Sequence, residues 1–374
     1  MGTPLNGVFT SLTDGYSHWQ MLMKKEAVMS RLWHWILDVM TMLSVLIMGS
    51  LSLFAFILVR SISRPYNHRD PGIFASQLPT IGDVPAHYLQ RPLVFQADDG
   101  VVLRGDFLAQ PHPAPTIIIC HGYHISREYL RSTTAYIYAM FGCNLLLFDF
   151  RGHGESDRAA ISLGNGEVHD LQAAITVASQ QPETFPGAIV IHGFSMGAAV
   201  ALLTPPRPEV AAIIADSPYA RLDDILRRFV VNTLTEKNTW WSPLFQRLHV
   251  MMPALSWAIV EIGALVFRVR FGYPLIARPD RGLKRLEALS NSHPQRAYPP
   301  ILLIHGEQDS VIPIAEARSL ELQTRALKCE VETYYVKNAE HCGAYQRDPQ
   351  RYIQVVEQFL LRHLDTNVLR HLVA

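Results

Sequence analysis

The stretch that decides the fold is Ile191-His192-Gly193-Phe194-Ser195-Met196-Gly197, which has the pattern Gly-x-Ser-x-Gly. It follows an apolar run that is typical of a buried strand, and it opens an Ala-rich segment with helical character. In this context the serine lies on a tight turn from strand to helix, where glycines relieve crowding around the backbone. Such a turn exposes the hydroxyl and directs the free N–H groups of the helix toward developing negative charge. The pattern predicts that Ser195 is a nucleophile.

Short apolar runs alternate with helical patterns on both sides of this stretch. The predicted strands are residues 92–96, 101–108, 116–120, 144–149, 188–191, 210–214, 301–305 and 331–336, and the predicted helices are residues 129–141, 168–180, 196–203, 315–327 and 349–363. Continuously apolar strands are typical of a parallel sheet that is covered on both faces. Asp98-Asp99-Gly100 predicts a hairpin between the first two strands. We therefore expect a doubly wound α/β domain that begins with an antiparallel hairpin.

One segment interrupts this alternation. About 80 residues between Asp216 and Tyr298 contain no clear strand, whereas residues 223–234 have helical spacing and residues 248–271 are mostly apolar. We expect a helical cap at about residues 218–297, inserted over the C-terminal edge of the sheet. Its apolar helices could cover an acyl-binding pocket, lie against a bilayer or complete the domain core, and the sequence leaves these three interpretations open.

The composition of the chain excludes some classes of protein. Its 374 residues are 49% apolar and carry 33 basic and 33 acidic side chains, so the formal net charge is zero. This balance argues against a disordered chain, which needs low hydrophobicity and high net charge. It also argues against nucleic-acid binding, which needs a basic face to displace counterions from phosphates. Only 18% of the residues are charged, below the roughly 25% of soluble domains. The mean hydropathy is positive, which suggests that lipid solvates part of the chain.

An apolar run near the N-terminus is the predicted membrane segment. Residues 39–59 carry no formal charge, and 12 of these 21 residues are Leu, Ile, Val or Phe. A helix of this length spans a hydrocarbon core of roughly 30 Å, and Trp33, Trp35 and Arg60 lie where interfacial anchors are expected. A buried core helix is the alternative. We expect an N-terminal segment 1–38, a transmembrane helix 39–59, a linker 60–89 and a catalytic domain 90–374, in a single-pass protein whose orientation the flanking charges do not decide.

A serine hydroxyl needs a histidine base that is itself oriented by a carboxylate. When the serine lies on such a turn, the expected chain order is serine, acid and histidine. Asp309 lies directly after a late predicted strand and His341 after the last one. Both therefore belong to loops at the sheet edge that carries Ser195. We predict that Asp309 is the acid and His341 the base.

The same edge offers other acids and bases. Asp216 also follows a predicted strand, and Glu307 is close to Asp309. Three histidines adjoin glycines at strand ends, where imidazoles more often hold loops than transfer protons, namely His153, His192 and His305. Two more lie in or beyond the terminal helix, namely His363 and His371. We place Asp309 and His341 ahead of these competitors, with Asp216 and Glu307 as the alternative acids.

An acyl-transfer site also needs two backbone donors that hold the oxyanion. The amide of Met196, directly after the nucleophile, is one candidate. The second should come from the loop after the strand 116–120, which reads His121-Gly122-Tyr123-His124, and we assign it to the amide of Tyr123.

No metal or organic cofactor is expected. The four cysteines lie far apart and form no C-x-x-C pair, so a zinc site or a disulfide scaffold has little support. A G-x-G-x-x-G fingerprint after the first parallel strand is missing, which disfavours dinucleotide binding.

These motifs resemble those of the α/β-hydrolase superfamily, in particular its membrane-anchored serine hydrolases related to prolyl-aminopeptidase-like and acyl-thioesterase proteins. The resemblance covers about residues 92–363 and rests on His121-Gly122, Asp149-Phe150-Arg151-Gly152-His153-Gly154-Glu155-Ser156, the Gly-x-Ser-x-Gly stretch, Asp216-Ser217-Pro218-Tyr219, residues 305–313 and the loop of His341. It implies an α/β-hydrolase fold, a triad of Ser195, Asp309 and His341, and a structural role for residues 149–156. Many relatives have a glycine before the last histidine, whereas here Glu340 precedes His341 and Cys342 follows it.

The expected function is hydrolysis of carboxylic esters, including lipid esters, through an acyl-enzyme. The substrate is then a small-molecule or lipid acyl compound, and the membrane bilayer is the other expected partner. An acyl-thioesterase or a peptidase could use the same triad. A non-catalytic, membrane-tethered binding protein is the alternative from another class.

Overall fold

A computed structural model of the chain describes residues 6–66, 81–236, 239, 241–283 and 298–364. Two compact units divide the chain, Met1–Ala55 and Phe56–Ala374. Every described strand and every predicted site residue belongs to the second unit.

A long helix, Asn6–Ser63, contains the whole uncharged run 39–59. The hydroxyls of Thr41, Ser44 and Ser50 each donate to the carbonyl four residues earlier at 2.8 Å, which satisfies them without water. The part Met23–Ser63 is long and apolar enough to cross a membrane, and so is His249–Phe271. A core helix of a soluble protein or a signal sequence has the same features. The N-terminal helix is therefore a candidate span, and the proposed domain boundaries stay a prediction.

The second unit is built on one eight-stranded sheet with the order β1-β2-β4-β3-β5-β6-β7-β8. The strands are β1 Leu89–Gln96, β2 Val102–Ala109, β3 Ala114–Cys120, β4 Asn144–Phe148, β5 Thr184–Phe194, β6 Val210–Asp216, β7 Ile301–Gly306 and β8 Val331–Val336. β2 pairs antiparallel with β1 and β4, and the strands from β4 to β8 pair in parallel. All eight predicted strands are confirmed, and so is the α/β fold that begins with an antiparallel hairpin.

The burial of each strand agrees with its place in the sheet. Every residue of β3 and β4 is buried, as expected for central strands with helices on both faces. In β3, Ile117, Ile118 and Ile119 are at most 1% exposed, and burying each side chain contributes about 1.5–3 kcal/mol. β1 is largely exposed at the edge of the sheet, with Phe95 as its buried side chain.

Helices connect the parallel strands and cover the sheet. They are Glu167–Ser179, Met196–Leu203, Ile314–Ala326, Ala344–Arg347 and Pro349–His363. The predicted helix 129–141 differs from a regular α-helix, because Arg127–Leu130 and Tyr136–Met140 are separated by a π-helical turn, Arg131–Ala135. Its Thr133, Thr134 and Ala135 are buried, and a turn with one extra residue is a usual way to fit a helix to its neighbours.

Helices make up most of the described part of the segment between β6 and β7. It contains Leu222–Thr235, Ser242–Arg247, a 3₁₀ turn His249–Met251 and Met252–Phe271. The last helix buries Ile259, Val260 and Phe267 but exposes Trp257 and Leu265. One face therefore packs inside the second unit and another is apolar and open. The cap at about 218–297 stays a prediction, and its residues 284–297 lie outside the described residues.

Candidate active site

The turn after β5 holds Ser195 in a strained conformation. Its φ is 51° and its ψ is −111°, a region that residues with a side chain rarely adopt. The amide of Ser195 donates to the carbonyl of Asp216 at 2.8 Å and so ties the turn to β6. A Cβ atom at Gly193 would lie 2.4 Å from the backbone of Gly197, and one at Gly197 would lie 2.3 Å from the carbonyl oxygen of Cys120. Only glycine fits at these two positions, which explains the spacing of the motif.

The loop after β8 brings His341 to the serine. Its Nε2 atom is 2.9 Å from Ser195 Oγ, although 146 positions separate the two residues in the chain. His341 is 3% exposed, and the next residue, Cys342, has a positive φ of 52°. The amide of Cys342 donates to Ser217 Oγ at 3.0 Å. The histidine loop is therefore fixed to the end of β6.

The loop after β7 places Asp309 behind the histidine. Asp309 Oδ2 is 2.7 Å from His341 Nδ1. The other oxygen, Oδ1, accepts from the amides of Val311 at 2.9 Å and Ile312 at 2.7 Å. An Nδ1–H that donates to this carboxylate leaves Nε2 as the acceptor for the Ser195 hydroxyl. The structure therefore brings the three predicted residues together in one line of hydrogen bonds.

Opposing effects set the pKa of His341. Burial lowers it, whereas the adjacent Cys342 thiol and the hydrogen bond and charge of Asp309 raise it, and the net pKa is above that of an ordinary histidine. The charge of Asp309 therefore stabilises the imidazolium that forms when His341 takes a proton.

His305 is a second imidazole close to Asp309, and its environment is different. Its Nε2 atom is 2.8 Å from the carbonyl oxygen of Ile312 and 3.4 Å from Asp309 Oδ2. Burial lowers the pKa of His305, so the ring is neutral at physiological pH. It holds the loop of Asp309 in place, which agrees with the structural role that its position after β7 suggests.

The loop of the predicted oxyanion donors lies beside the nucleophile. A Cβ atom at Gly122 would lie 3.4 Å from the Ser195 Cβ, so the backbone just before Tyr123 passes next to the serine. Met196 is the first residue of helix Met196–Leu203, so its amide has no acceptor within the helix. The assignment of these two amides to the oxyanion stays a prediction.

Two buried histidines hold that loop from behind. His121 Nδ1 is 2.7 Å from the carbonyl oxygen of Gly122, and its Nε2 accepts from the amide of Phe150 at 3.0 Å. The His153 ring accepts from the amide of His124 at 3.2 Å. Burial lowers the pKa of both His121 and His153, so both are neutral. These contacts agree with a loop-holding role for His153.

Residues 149–156 form the turn beside this loop. The carboxylate of Asp149 accepts from the Arg127 amide at 2.8 Å and from the Glu155 amide at 3.0 Å, and it also forms an ion pair with the Arg127 guanidinium. Ser156 Oγ donates to the carbonyl of Asp149 at 2.6 Å. The bonds of Glu155 and Ser156 close the turn, and those of Arg127 connect it to the helix Arg127–Leu130, as expected for a structural element.

A buried polar network that sequence reasoning missed lies under the site. Asp216 accepts from the Ser217 hydroxyl at 2.9 Å and from the Tyr352 hydroxyl at 3.2 Å. His192 lies between two tyrosines, with Nδ1 2.7 Å from the Tyr138 hydroxyl and Nε2 3.3 Å from the Tyr352 hydroxyl. Asp216 was a competing acid in the sequence, but these bonds direct its carboxylate to hydroxyl groups. The motif Asp216-Ser217-Pro218-Tyr219 was the signal that could have located this network.

The comparisons with known proteins agree with this fold. Residues 111–345 match the family model Hydrolase_4, described as serine aminopeptidase, S33. The uncharacterized protein YqkD of Bacillus subtilis is 29% identical over 266 residues, which cover 70% of this chain and 76% of that protein. A monoacylglycerol lipase of Mycolicibacterium smegmatis is 23% identical over 223 residues, which cover 56% of this chain and 75% of the lipase.

A solved esterase structure is similar to this chain in fold. The Pyrococcus furiosus esterase Pf2001 superposes with a TM-score of 0.55 at 21% identity, over 77% of this chain and 99% of the esterase. The resemblance of the sequence motifs to the α/β-hydrolase superfamily is therefore confirmed. Because the family model matches more than half of the residues, the chain belongs to the Hydrolase_4 family of serine aminopeptidases (S33), hydrolases with the α/β-hydrolase fold.

Proposed function

We propose that the protein is a membrane-anchored serine hydrolase that cleaves carboxylic esters with Ser195, His341 and Asp309 as its catalytic triad. The observation that carries this proposal is the line of hydrogen bonds from Ser195 Oγ to His341 Nε2, at 2.9 Å, and from His341 Nδ1 to Asp309 Oδ2, at 2.7 Å. The strained backbone of Ser195 supports it, because strain at a residue with φ of 51° is commonly retained for function.

The proposed reaction is acyl transfer to water. Ser195 Oγ attacks the ester carbonyl carbon while His341 takes the hydroxyl proton, and Asp309 stabilises the imidazolium that forms. The C–O bond to the alcohol then breaks, and His341 returns the proton to the departing alcohol. Water repeats the sequence on the acyl-enzyme, and the products are a carboxylic acid and free Ser195.

The amides of Met196 and Tyr123 are the proposed donors to the oxyanion. The helix that begins at Met196 adds its N-terminal dipole, which favours negative charge at this point. Loss of one such donor typically costs about 2.7–4 kcal/mol of transition-state stabilisation. The close approach of Gly122 to Ser195 supports a second donor from the neighbouring Tyr123.

Esters are the proposed substrates because one helix between β6 and β7 has an exposed apolar face. Helix Met252–Phe271 exposes Trp257, Leu265 and Val269, which suits neutral acyl compounds. The relative named monoacylglycerol lipase supports this choice, whereas the family description names an aminopeptidase. Substrate tests must therefore include a peptide bond and a thioester.

Initial rates of hydrolysis test the substrate class. The full-length protein in neutral detergent is assayed with p-nitrophenyl esters of graded chain length, an acyl thioester and a proline arylamide. We expect ester hydrolysis to be fastest. A faster reaction with the arylamide would indicate an aminopeptidase instead of an esterase, and a faster reaction with the thioester would indicate a thioesterase.

Two variants serve as controls for this assay. Ser195→Ala should lower kcat by roughly 10⁶-fold, because loss of a triad serine removes the acyl-enzyme route. Ser310→Ala changes an exposed serine next to Asp309 and should keep the rate within a few-fold. Hydrolysis that persists in Ser195→Ala would contradict the proposed nucleophile.

Membrane anchoring by residues 39–59 is the second part of the proposal. The uncharged run and the exposed apolar side chains along it, including Val45, Leu46 and Ile47, support this anchor. The chain should remain with the membrane pellet after extraction with alkaline carbonate. Release of the intact chain into the supernatant would contradict a transmembrane anchor.

A further inference from the structure

A cavity of about 470 Å³ opens at the end of helix Asn6–Ser63, within the second unit. Phe56 and Arg60, which are four residues apart in that helix, contribute to the wall, and so does Arg64, which follows the last helical residue, Ser63. Residues spaced by four lie on one face of a helix, so this face of the last two turns is directed into the cavity. The volume falls within the range of about 300–1,000 Å³ that is usual for small-molecule sites.

Two other segments complete the wall. The C-terminal turn of helix Met252–Phe271 contributes Val266, Arg270 and Phe271, and the loop after Ser156 contributes Arg158. None of the lining residues belongs to the proposed triad or oxyanion loop, so the cavity is separate from that set of residues.

Four arginines line this cavity, Arg60, Arg64, Arg158 and Arg270. No carboxylate lines it, and within the part of the chain that the structure describes none of the four arginines forms an ion pair. Eleven other arginines of the second unit do pair with carboxylates, such as Arg127 with Asp149 and Arg151 with Asp170. The cavity therefore has positive charge without a partner from the described residues.

The rest of the wall is apolar. Phe56, Val59, Val266 and Phe271 supply aromatic and aliphatic surface next to the arginines. A site for a free anion such as phosphate needs no such surface, whereas the combination suits an amphiphile with an anionic head and an acyl chain. Guanidinium groups bind phosphate oxygens through paired hydrogen bonds.

The sequence positions of the lining residues indicate the class of amphiphile that the cavity binds. Its wall begins inside the uncharged run 39–59 and continues into the first charged turn after it. In a membrane-spanning helix this is the level of the lipid headgroups. Basic residues next to a span commonly bind anionic lipids.

We propose that this cavity binds one anionic phospholipid of the surrounding bilayer. The arginines bind the phosphate of the headgroup, and the apolar wall contacts the beginning of an acyl chain. The proposal rests on the membrane anchor proposed above, but it does not depend on the identity of the catalytic substrate.

Native mass spectrometry of the full-length protein in neutral detergent tests this site. The probes are dioctanoyl phosphatidylglycerol, dioctanoyl phosphatidylcholine and inorganic phosphate. We expect one phosphatidylglycerol per chain at saturation, at least about tenfold weaker binding of phosphatidylcholine, and no displacement by equimolar phosphate. Equal binding of the two lipids, or displacement by phosphate, would overturn a site for an anionic lipid.

The variant Arg158→Gln/Arg270→Gln locates the binding. Neither residue flanks the predicted span, so their loss does not change the charges that orient it. Affinity for phosphatidylglycerol should fall by roughly 10- to 30-fold. Arg64→Gln/Arg158→Gln should give a similar loss and replaces the first pair if that pair lowers the unfolding temperature. Wild-type affinity in a folded double variant would overturn the proposal.

A matched control removes the same charge elsewhere. Arg318→Gln/Arg351→Gln changes two exposed arginines that form no ion pair among the described residues, and it should bind phosphatidylglycerol as the wild type does. Each sample is also treated with a fluorophosphonate. Labelling of Ser195 without selective lipid binding would overturn the lipid site alone, and selective binding without labelling would overturn the serine hydrolase alone.

Discussion

Two sets of serine, histidine and carboxylate side chains lie at the same edge of the sheet. In the first, Ser195, His341 and Asp309 form one line of hydrogen bonds. In the second, Asp216 and Ser217 bond to each other, and Tyr352 connects Asp216 to a histidine, His192. The two sets touch, because the amide of Ser195 donates to Asp216 and the amide of Cys342 donates to Ser217.

The partners of the two imidazoles differ. His341 has a carboxylate on one nitrogen and a serine hydroxyl on the other, and its pKa is raised although burial opposes this. His192 has tyrosine hydroxyls on both sides, and burial lowers its pKa to about 3. His192 therefore stays neutral at any physiological pH and is a poor proton acceptor. The same residue types thus have different chemistry because their neighbours differ.

The surroundings of the two carboxylates, Asp309 and Asp216, differ as well. Asp309 accepts from two backbone amides and from His341 Nδ1. Burial raises the pKa of Asp216 to about 6 despite the hydrogen bonds of Ser217 and Tyr352. We infer that the first set carries the reaction, whereas the second positions the loops of Ser195 and His341.

Replacement of the two acids should separate these roles most strongly. Asp309→Asn should lower kcat by about 10⁴-fold, because an amide cannot hold His341 in the reactive tautomer and stabilise its positive form. Asp216→Asn should lower kcat by less than about tenfold, since its side chain does not accept from His341 Nδ1. Steady-state kinetics on a soluble ester provides the measurement. Equal losses in the two variants would contradict the division of roles.

The pH dependence of stability should reveal the buried charge of Asp216. Its folded pKa of about 6 lies above the usual value of 3.8, so the folded state binds its proton more tightly than the unfolded state. The stability gained from this proton is complete below pH of about 4 and is lost as the pH rises through about 6. Between these values the free energy of unfolding of the wild type should fall by about 2–3 kcal/mol relative to Asp216→Asn.

Urea unfolding in neutral detergent, followed by circular dichroism from pH 4 to pH 7.5, measures this difference. Glu357→Gln is the control, because Glu357 is exposed and forms no ion pair among the described residues. A difference between wild type and Asp216→Asn that stays constant with pH would show that the Asp216 carboxyl does not titrate in this range.

Removal of one hydroxyl from the second set should have the smallest effect. Tyr352→Phe removes the hydrogen bonds to Asp216 and His192 and should lower the free energy of unfolding by about 1–3 kcal/mol. The ester-hydrolysis rate should change by only a few-fold, because the ring still fills its buried site. A loss of activity as large as that of Asp309→Asn would place Tyr352 among the residues of the reaction itself.

The sequence predicted the fold and the positions of the first set because both follow from local pattern and chain order. Each strand is a short apolar run, and the carboxyl ends of parallel strands meet at one edge. Ser195, Asp309 and His341 each follow such a run. Their spacing in the chain therefore carries enough information to place them together, and only their catalytic roles stay predictions.

The second set could not be predicted in the same way. The hydroxyls of Tyr138 and Tyr352 reach His192 from two different helices, and no local pattern indicates that a helical tyrosine points under the sheet edge. The π-helical turn Arg131–Ala135 could not be predicted for the same reason, because it depends on how the helix packs against its neighbours and not on a local pattern. The cavity at the end of helix Asn6–Ser63 could not be predicted either, because its lining residues are as far apart in the chain as Arg60 and Arg270.

Covalent labelling distinguishes the two serines most directly. The full-length protein is treated with a fluorophosphonate, digested and analysed by mass spectrometry. We expect one adduct, on Ser195, in the wild type and in Ser217→Ala, and none in Ser195→Ala. An adduct on Ser217, labelling that persists in Ser195→Ala, or a folded wild type that does not react would contradict Ser195 as the activated nucleophile.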